Sequence, residues 1–320
     1  MGLGTAHVTL TTADKFIPEI WSDEIIAAYK KNLVLANLVM KMNFKGKKGD
    51  TIHIPTPTRG SASAKAASTQ VTLIAATESE VNVTITKHYE YSRLIEDIVE
   101  AQALNSLRNF YTSDAGYALA KQVDTDLIQL GRLFNGATLA TDDYATSSAT
   151  TKAYIGGDGT TAYNSSTSNA SALTDAAIRR TIQRLDDNDT PMDGRFFIIP
   201  PSSRNTLMGL ARYTEQAFVG DGNAIRTGEV GNLYGIPVFV SSNADTGYGN
   251  TQTDRICLMG HKDSMVLVEQ VGVRSQTQYK QEYLGTLYTA DTLYGVAALR
   301  TAASSGAAKS SSAYALAVPA

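Results

Sequence analysis

A single cysteine, Cys257, occurs in 320 residues, which rules out a disulfide within the chain and any site built from paired thiolates. Set in the run Ile256-Cys257-Leu258-Met259, it reads as a small buried hydrophobe. Long apolar runs are missing too, and the opening MGLGTAHVTLTTADK has neither a basic start nor an apolar stretch behind it. No membrane span and no secretory leader is expected, and synthesis in the cytoplasm follows. Neither sign of charge dominates: 28 Lys and Arg stand against 31 Asp and Glu. That balance offers no broad basic field for gripping nucleic acid and no acidic tail.

Catalytic constellations are equally scarce. The four histidines, His7, His53, His88 and His261, are dispersed, with no zinc-binding HExxH, no nucleophile elbow and no phosphate-binding loop. Gly156-Gly157-Asp158-Gly159 and Gly220-Asp221-Gly222 lack the strand, spaced glycines and helix of a dinucleotide site, so both read as turns. Asp186, Asp187, Asp189 and Asp193 lack the order of a calcium loop and read as a solvated turn. Asp124 and Asp126 fall on different sides of a helix and cannot act as a close carboxylate pair. No enzyme activity, cofactor or metal is expected. A small-molecule hydrolase stays as the alternative of another class, and it needs a pocket of titratable groups near Asp221 or Glu229.

What is present is a long helix. Leu104 to Asn135 carries Leu104, Leu107, Tyr111, Ala115, Ala118, Leu119, Gln122, Leu127, Leu130 and Phe134 mostly three or four residues apart, which puts most of its large apolar side chains on one stripe. Such a helix must lie across something wide. Ahead of it, residues 1–16 are polar and patternless, and Pro18 to Leu38 reads as a helix carrying the lone tryptophan, Trp21, as an anchor into a partner or the body of the fold. Lys41, Lys45, Lys47 and Lys48 then precede a Gly-Asp turn and read as a solvated turn or a contact with an acidic neighbour.

From Asp50 the period changes to two. Ile52 and Ile54 alternate with polar residues, as do Val81, Val83 and Ile85, which marks two strands of a ribbon whose far end is small and polar. An isolated two-stranded ribbon is marginal in water, so the excursion is expected to lie on a neighbouring copy of the chain. Lys87 to Gln102 reads as the ribbon's end and a short helix, with Leu94, Ile95, Ile98 and Val99 inward and Glu96, Asp97 and Glu100 outward. After the long helix, residues 137–171 are nearly structureless by composition. A second globular unit opens at Leu173, with Thr174 capping a helix, strands at Arg195–Ile199, around Ile236 and at Arg255–Gly260, and a tyrosine-rich strand region from Met265 to Arg300.

The motifs FIPEIWSDEIIAAYKKNLVLANLV, SRLIEDIVEAQ, RFFIIPPSSRNTL and above all GEVGNLYGIPVFVSSN, in this order, resemble those of tailed-bacteriophage major capsid proteins with the Hong Kong 97-type coat fold. The resemblance implies an α+β fold with an N-terminal arm (1–44), an extended β-hairpin loop (45–88), a peripheral domain with a long spine helix (89–172 and 266–320) and an axial domain (173–265). It implies a subunit that self-assembles into pentamers and hexamers, forming an icosahedral shell around phage double-stranded DNA without sequence-specific binding. Subunit-interface candidates are Trp21, Lys45, Lys47, Lys48, Ile52, Ile54, Lys65, Val81, Val83, Glu96, Asp97, Glu229 and Tyr234. Some relatives open with a cleaved scaffolding segment; here the arm motif starts at Phe16, so a separate scaffolding protein is expected, beside a portal protein and a cement protein. Other relatives join a loop lysine to a late asparagine. Lys65 is the lysine near the ribbon tip, but no asparagine follows Asn250, so that cross-link is not expected. An encapsulin-like compartment shell, which shares the fold, is the alternative reading within it.

Overall fold

The computed structural model describes residues 34–46, 48–57, 60, 62–71, 73, 78–96, 106–131, 153–164, 167–210, 231–244, 246–248, 254–299 and 312–320. Three sheets organise them. The first is four-stranded, in the order β1 (Met40–Asn43), β11 (Met265–Lys280), β12 (Gly285–Ala298) and β4 (Lys87–Glu96). β1 runs parallel to β11, whereas β11, β12 and β4 are antiparallel neighbours. The second is a separate two-stranded ribbon, β2 (Thr51–Pro57) against β3 (Glu78–Thr84), with Ile52 opposite Val83 and Ile54 opposite Val81.

The third sheet has seven strands. Its path is β5 (Tyr154–Ile155), β13 (Ala313–Val318), β10 (Asp254–His261), β6 (Arg195–Ile199), β8 (Ile236–Val240) and β7 (Asn232–Leu233), with β9 (Thr246–Tyr248) also on β10. β6 reads Arg-Phe-Phe-Ile-Ile and is buried throughout, because both faces of this sheet are covered. Phe197 and Ile199 join Ile178, Leu185, Leu207 and Cys257 under α3 (Asp175–Asp187) and α4 (Pro201–Met208). Alternation turns Phe196 and Ile198 the other way, where they meet Leu127 and Ile128 of α2 (Ser106–Leu130) together with Leu35, Leu267 and Tyr294. The long helix thus lies between two sheets. Thr174 caps α3 as its position suggests, its hydroxyl accepting from the Ala177 N–H at 3.3 Å.

Several expectations need correction. The segment read as the start of a short helix is strand to Glu96: Tyr89 and Tyr91 alternate with outward residues and pack on α2. The helical spacing of Leu94, Ile95, Ile98 and Val99 loses to this longer period of two, and residues 97–100 lie outside the described residues. The boundary of the second unit also moves. β5 and β13, which fall within 89–172 and 266–320, pair in the sheet of 173–265, Leu316 lying opposite Cys257 and beside Tyr154. Six consecutive buried residues in β13 explain this: the AYALAV end is a central strand. Asp186 is no free member of a solvated turn either, since the buried Arg195 donates to it at 2.7 Å. Helix expected over Pro18 to Leu38 is described only for α1 (Leu35–Leu38).

Candidate assembly surface

Beyond the body, β11, β12 and β4 run on together as a tongue. Register from Arg274 opposite Asp291 to Lys280 opposite Gly285 is unbroken, and β4 continues it to Glu96 opposite Gly285. One face is covered: Ala115 and Leu119 of α2 pack on Ala290, Tyr89, Tyr91 and Tyr288. The Tyr91 hydroxyl donates to Asp114 at 3.2 Å, and the Arg93 guanidinium lies 4.6 Å from the Tyr111 ring centre.

Among the described residues, the opposite face is covered only at its base. There Val83 and Ile85 of the ribbon pack on Val266 and Val268, with Ile52, Ile54, Leu293 and Ala297 around them. The next inward position along β12 is Asp291, held in a fork by Arg274 Nε at 2.7 Å and Nη2 at 2.8 Å, with His88 Nε2 at 3.2 Å from Oδ2. The Arg274 bonds, more than His88, hold the Asp291 carboxyl below its ordinary range. At the far end the tongue turns through a 3-10 turn, Gln281–Tyr283, into Leu284, whose φ of 45° is left-handed. Leu284 is 66% exposed, Tyr279, Tyr283 and Leu94 are exposed towards the same end, and Val273 is exposed further back along β11. The ribbon's distal part is bare as well: residues 62–71 are exposed throughout, and Leu73 is 90% exposed.

The residues singled out as interface candidates are spread over this surface and the body. Lys45 pairs with Glu269 at 3.4 Å, both about half exposed, a rim contact of small worth. Lys48, Lys65 and Glu96 are exposed. Val81 and Val83 are buried on the protein's own strands, and Ile52 and Ile54 are half-buried, so these apolar faces are wholly or partly covered within the chain itself. The ribbon's base therefore belongs to its own body, and its distal part is what stands free of it. Tyr234 forms the left-handed turn between β7 and β8 with Gly235, at φ 52° and 80°, and its hydroxyl donates to Asp175 at 2.5 Å. Trp21, Lys47, Asp97 and Glu229 lie outside the described residues, as does Asp221. Sequence reasoning did not single out the Arg274, Asp291 and His88 cluster, because only the register of β11, β12 and β4 sets the lone aspartate of β12 against that arginine.

Among the described residues no group of three or more His, Cys, Asp or Glu is placed to hold a metal ion. No helix there is long and apolar enough to cross a membrane. Cys257 is buried against Ser203 at 3.3 Å, and burial pushes its thiol up to about 12, which fits the buried hydrophobe read from its neighbours.

The family model described as phage capsid protein matches residues 19–303. This chain belongs to that family. No curated protein matches the capsid chain by sequence. Its fold is shared by solved structures over nearly the whole length. A structure from Mycobacterium phage Che8 is 22% identical with a TM-score of 0.71, covering 94% of this chain and 97% of that one. The capsid structure of cyanophage P-SCSP1u is 19% identical with a TM-score of 0.72, covering 98% and 96%. The capsid of Ralstonia phage GP4 is 12% identical with a TM-score of 0.69, covering 98% of both. The α+β capsid fold of the Hong Kong 97 type is thereby established, and the chain is a structural protein of the virion and not an enzyme.

Proposed function

We propose that this chain is the major capsid protein of its phage, building pentamers and hexamers that close an icosahedral shell around double-stranded DNA. The observation that carries the reading is the contrast along the ribbon. Its base is packed on the chain's own sheet through Val83 and Ile85, while residues 62–71 and Leu73 extend from it exposed, Val71 and Leu73 among them. A strand pair with so little of its own to bury gains stability by lying on a second copy.

On this reading the ribbon is the extended loop, the tongue with α2 is the peripheral domain, and the seven-stranded unit is the axial domain near the capsomer axis. The Tyr234-Gly235 turn would sit in that axial region. Lys45, Lys48, Lys65, Glu96 and Tyr234 are the exposed members of the interface set among the described residues. A separate scaffolding protein, a portal protein and a cement protein are the partners; the near-neutral charge balance fits DNA that is enclosed and not gripped.

Deleting residues 61–77 and imaging the product by electron microscopy tests this. The shortened subunit should keep its fold by circular dichroism and fail to make stable shells. Normal shells from the deletion would overturn the role given to the ribbon. Intact shells loaded with protein cargo and free of DNA would replace the phage shell by an encapsulin-like compartment.

A further inference from the structure

Asp124 is fully buried in α2, and no contact on the assembly surface uses it. Its Oδ1 accepts from the backbone N–H of Leu35 at 2.9 Å and of Ala36 at 3.4 Å, the first two residues of α1. α1 has no side-chain cap of its own, so a carboxylate distant in sequence satisfies its free amides. Oδ2 accepts from Nδ2 of Asn243 at 3.1 Å, and the same Nδ2 reaches Thr125 Oγ1 at 3.2 Å. Asn243 follows β8 in the seven-stranded unit, where its own N–H donates to Ser241 Oγ at 3.2 Å. One carboxylate therefore joins the long helix, the start of α1 and the seven-stranded unit.

We infer that Asp124 couples the seat of the seven-stranded unit to the position of residues 34–36, and so is a positioning residue for the start of α1. The two sides share one acceptor group, so each bond depends on the other. If Asn243 withdraws, a buried carboxyl group loses one of the donors that stabilise it. It then relaxes or draws in water, and its hold on the Leu35 and Ala36 amides loosens. The same coupling runs in reverse: release of α1 weakens the seat of Asn243. Residues 34–36 open the described part of the chain, so the unit's seat is felt at its first described helix. For a shell subunit, which rests on the reading above, a tilt of that unit would be passed to the head of its own helix α1.

Hydrogen exchange on the full-length unassembled subunit tests the coupling, read at the Leu35 and Ala36 amides with Ile256 and Leu258 of β10 as reference. N243A touches neither amide directly, and it should speed their exchange by about tenfold or more, within the usual range of coupling between sites, while β10 keeps its rate. Unchanged Leu35 and Ala36 rates, or a uniform rise that includes β10, would overturn the inference. N243D sets a second carboxylate against Asp124 and should loosen the same amides more strongly. D124N/N243D restores a donor facing an acceptor and should return their protection most of the way. A double variant no better protected than N243D alone would overturn the coupling, even if N243A fails to fold. Each of these outcomes leaves the capsid reading untouched, since none involves assembly.

Discussion

Tyr294 donates its phenol hydroxyl to Oδ2 of Asp126 at 2.7 Å, deep between α2 and β12. The carboxylate is buried and also receives Lys87 Nζ at 3.3 Å and Gln122 Nε2 at 3.0 Å. Burial first, and then the hydrogen bond to Asp126 and that group's charge, push the Tyr294 hydroxyl upward, so it stays protonated as the donor. Y294F keeps the ring, its packing on Leu127 and Leu267 and its contact with Tyr89, and removes one donor from a buried charge. The subunit should lose about 1–2 kcal/mol, measured by denaturant unfolding, with far-UV circular dichroism unchanged. A variant as stable as the parent would mean that Lys87 and Gln122 already satisfy Asp126.

This spine region also shows what could be read ahead of the structure and what could not. The helix is legible because Ala115, Leu119 and Leu127 recur at helical spacing and are buried as that spacing requires. Asp124 and Asp126 are correctly assigned to different sides: one faces Leu35 and Asn243, the other Lys87 and Tyr294. That both sides are buried was not legible, since a one-stripe reading allows a single partner and the helix lies between two sheets. β4 was misread because Leu94 and Ile95 are adjacent, which is helix-like locally, while the deciding Tyr89 and Tyr91 alternation acts through contacts with α2. β13 was assigned to the wrong unit because strand order is a long-range property; nothing within AYALAV says that Cys257 and Leu316 will face each other.

The acid side of stability should depend on Asp291. Its carboxyl sits below the ordinary value of 3.8, chiefly through Arg274. The unfolded chain thus binds the proton more readily, so this group's contribution is present above that value and lost as pH falls through the folded one. Asp124 works in the opposite sense: burial raises its carboxyl, and it lowers stability as pH rises from 3.8 towards its folded value. D291N removes the first effect alone. Thermal melts from neutral to acid pH should show the variant less stable than the parent at neutrality, with the gap closing under acid. A gap that stays constant would show that the Arg274 fork does not govern acid stability.

Leu284 carries a strained backbone on the tip of the tongue. A leucine at φ 45° costs about 1 kcal/mol relative to glycine, and its side chain, 66% exposed, recovers little of that in the lone subunit. L284G should therefore leave the isolated subunit as stable as before or slightly more so. If the tip is covered by another copy in the shell, the same change should lower the yield or melting temperature of assembled particles. Opposite signs in the two melts are the expected result. Equal changes in both would place the tip outside any contact.

The ribbon's attachment can be loosened without touching its exposed end. Where β3 crosses β12, a Cβ on Gly295 would lie 2.5 Å from the Thr84 carbonyl oxygen and 3.2 Å from the Ile85 Cα. Both are backbone or next to it, so no rotamer change can clear the clash and the strands must part. G295A should therefore cost about 1–3 kcal/mol in the subunit and open the small core of Val83, Ile85, Val266 and Val268. The damage should be directional, because Gly295 pairs with Val268 on one side while His88 and Lys87 hold the neighbouring β12 positions on the other. Hydrogen exchange should rise in β2 and β3 while β6 and β10 keep theirs, and shell yield should fall with the ribbon. Shells that form normally from a variant with a loosened ribbon would mean that the ribbon's distal residues dock on a neighbour without needing the base to aim them.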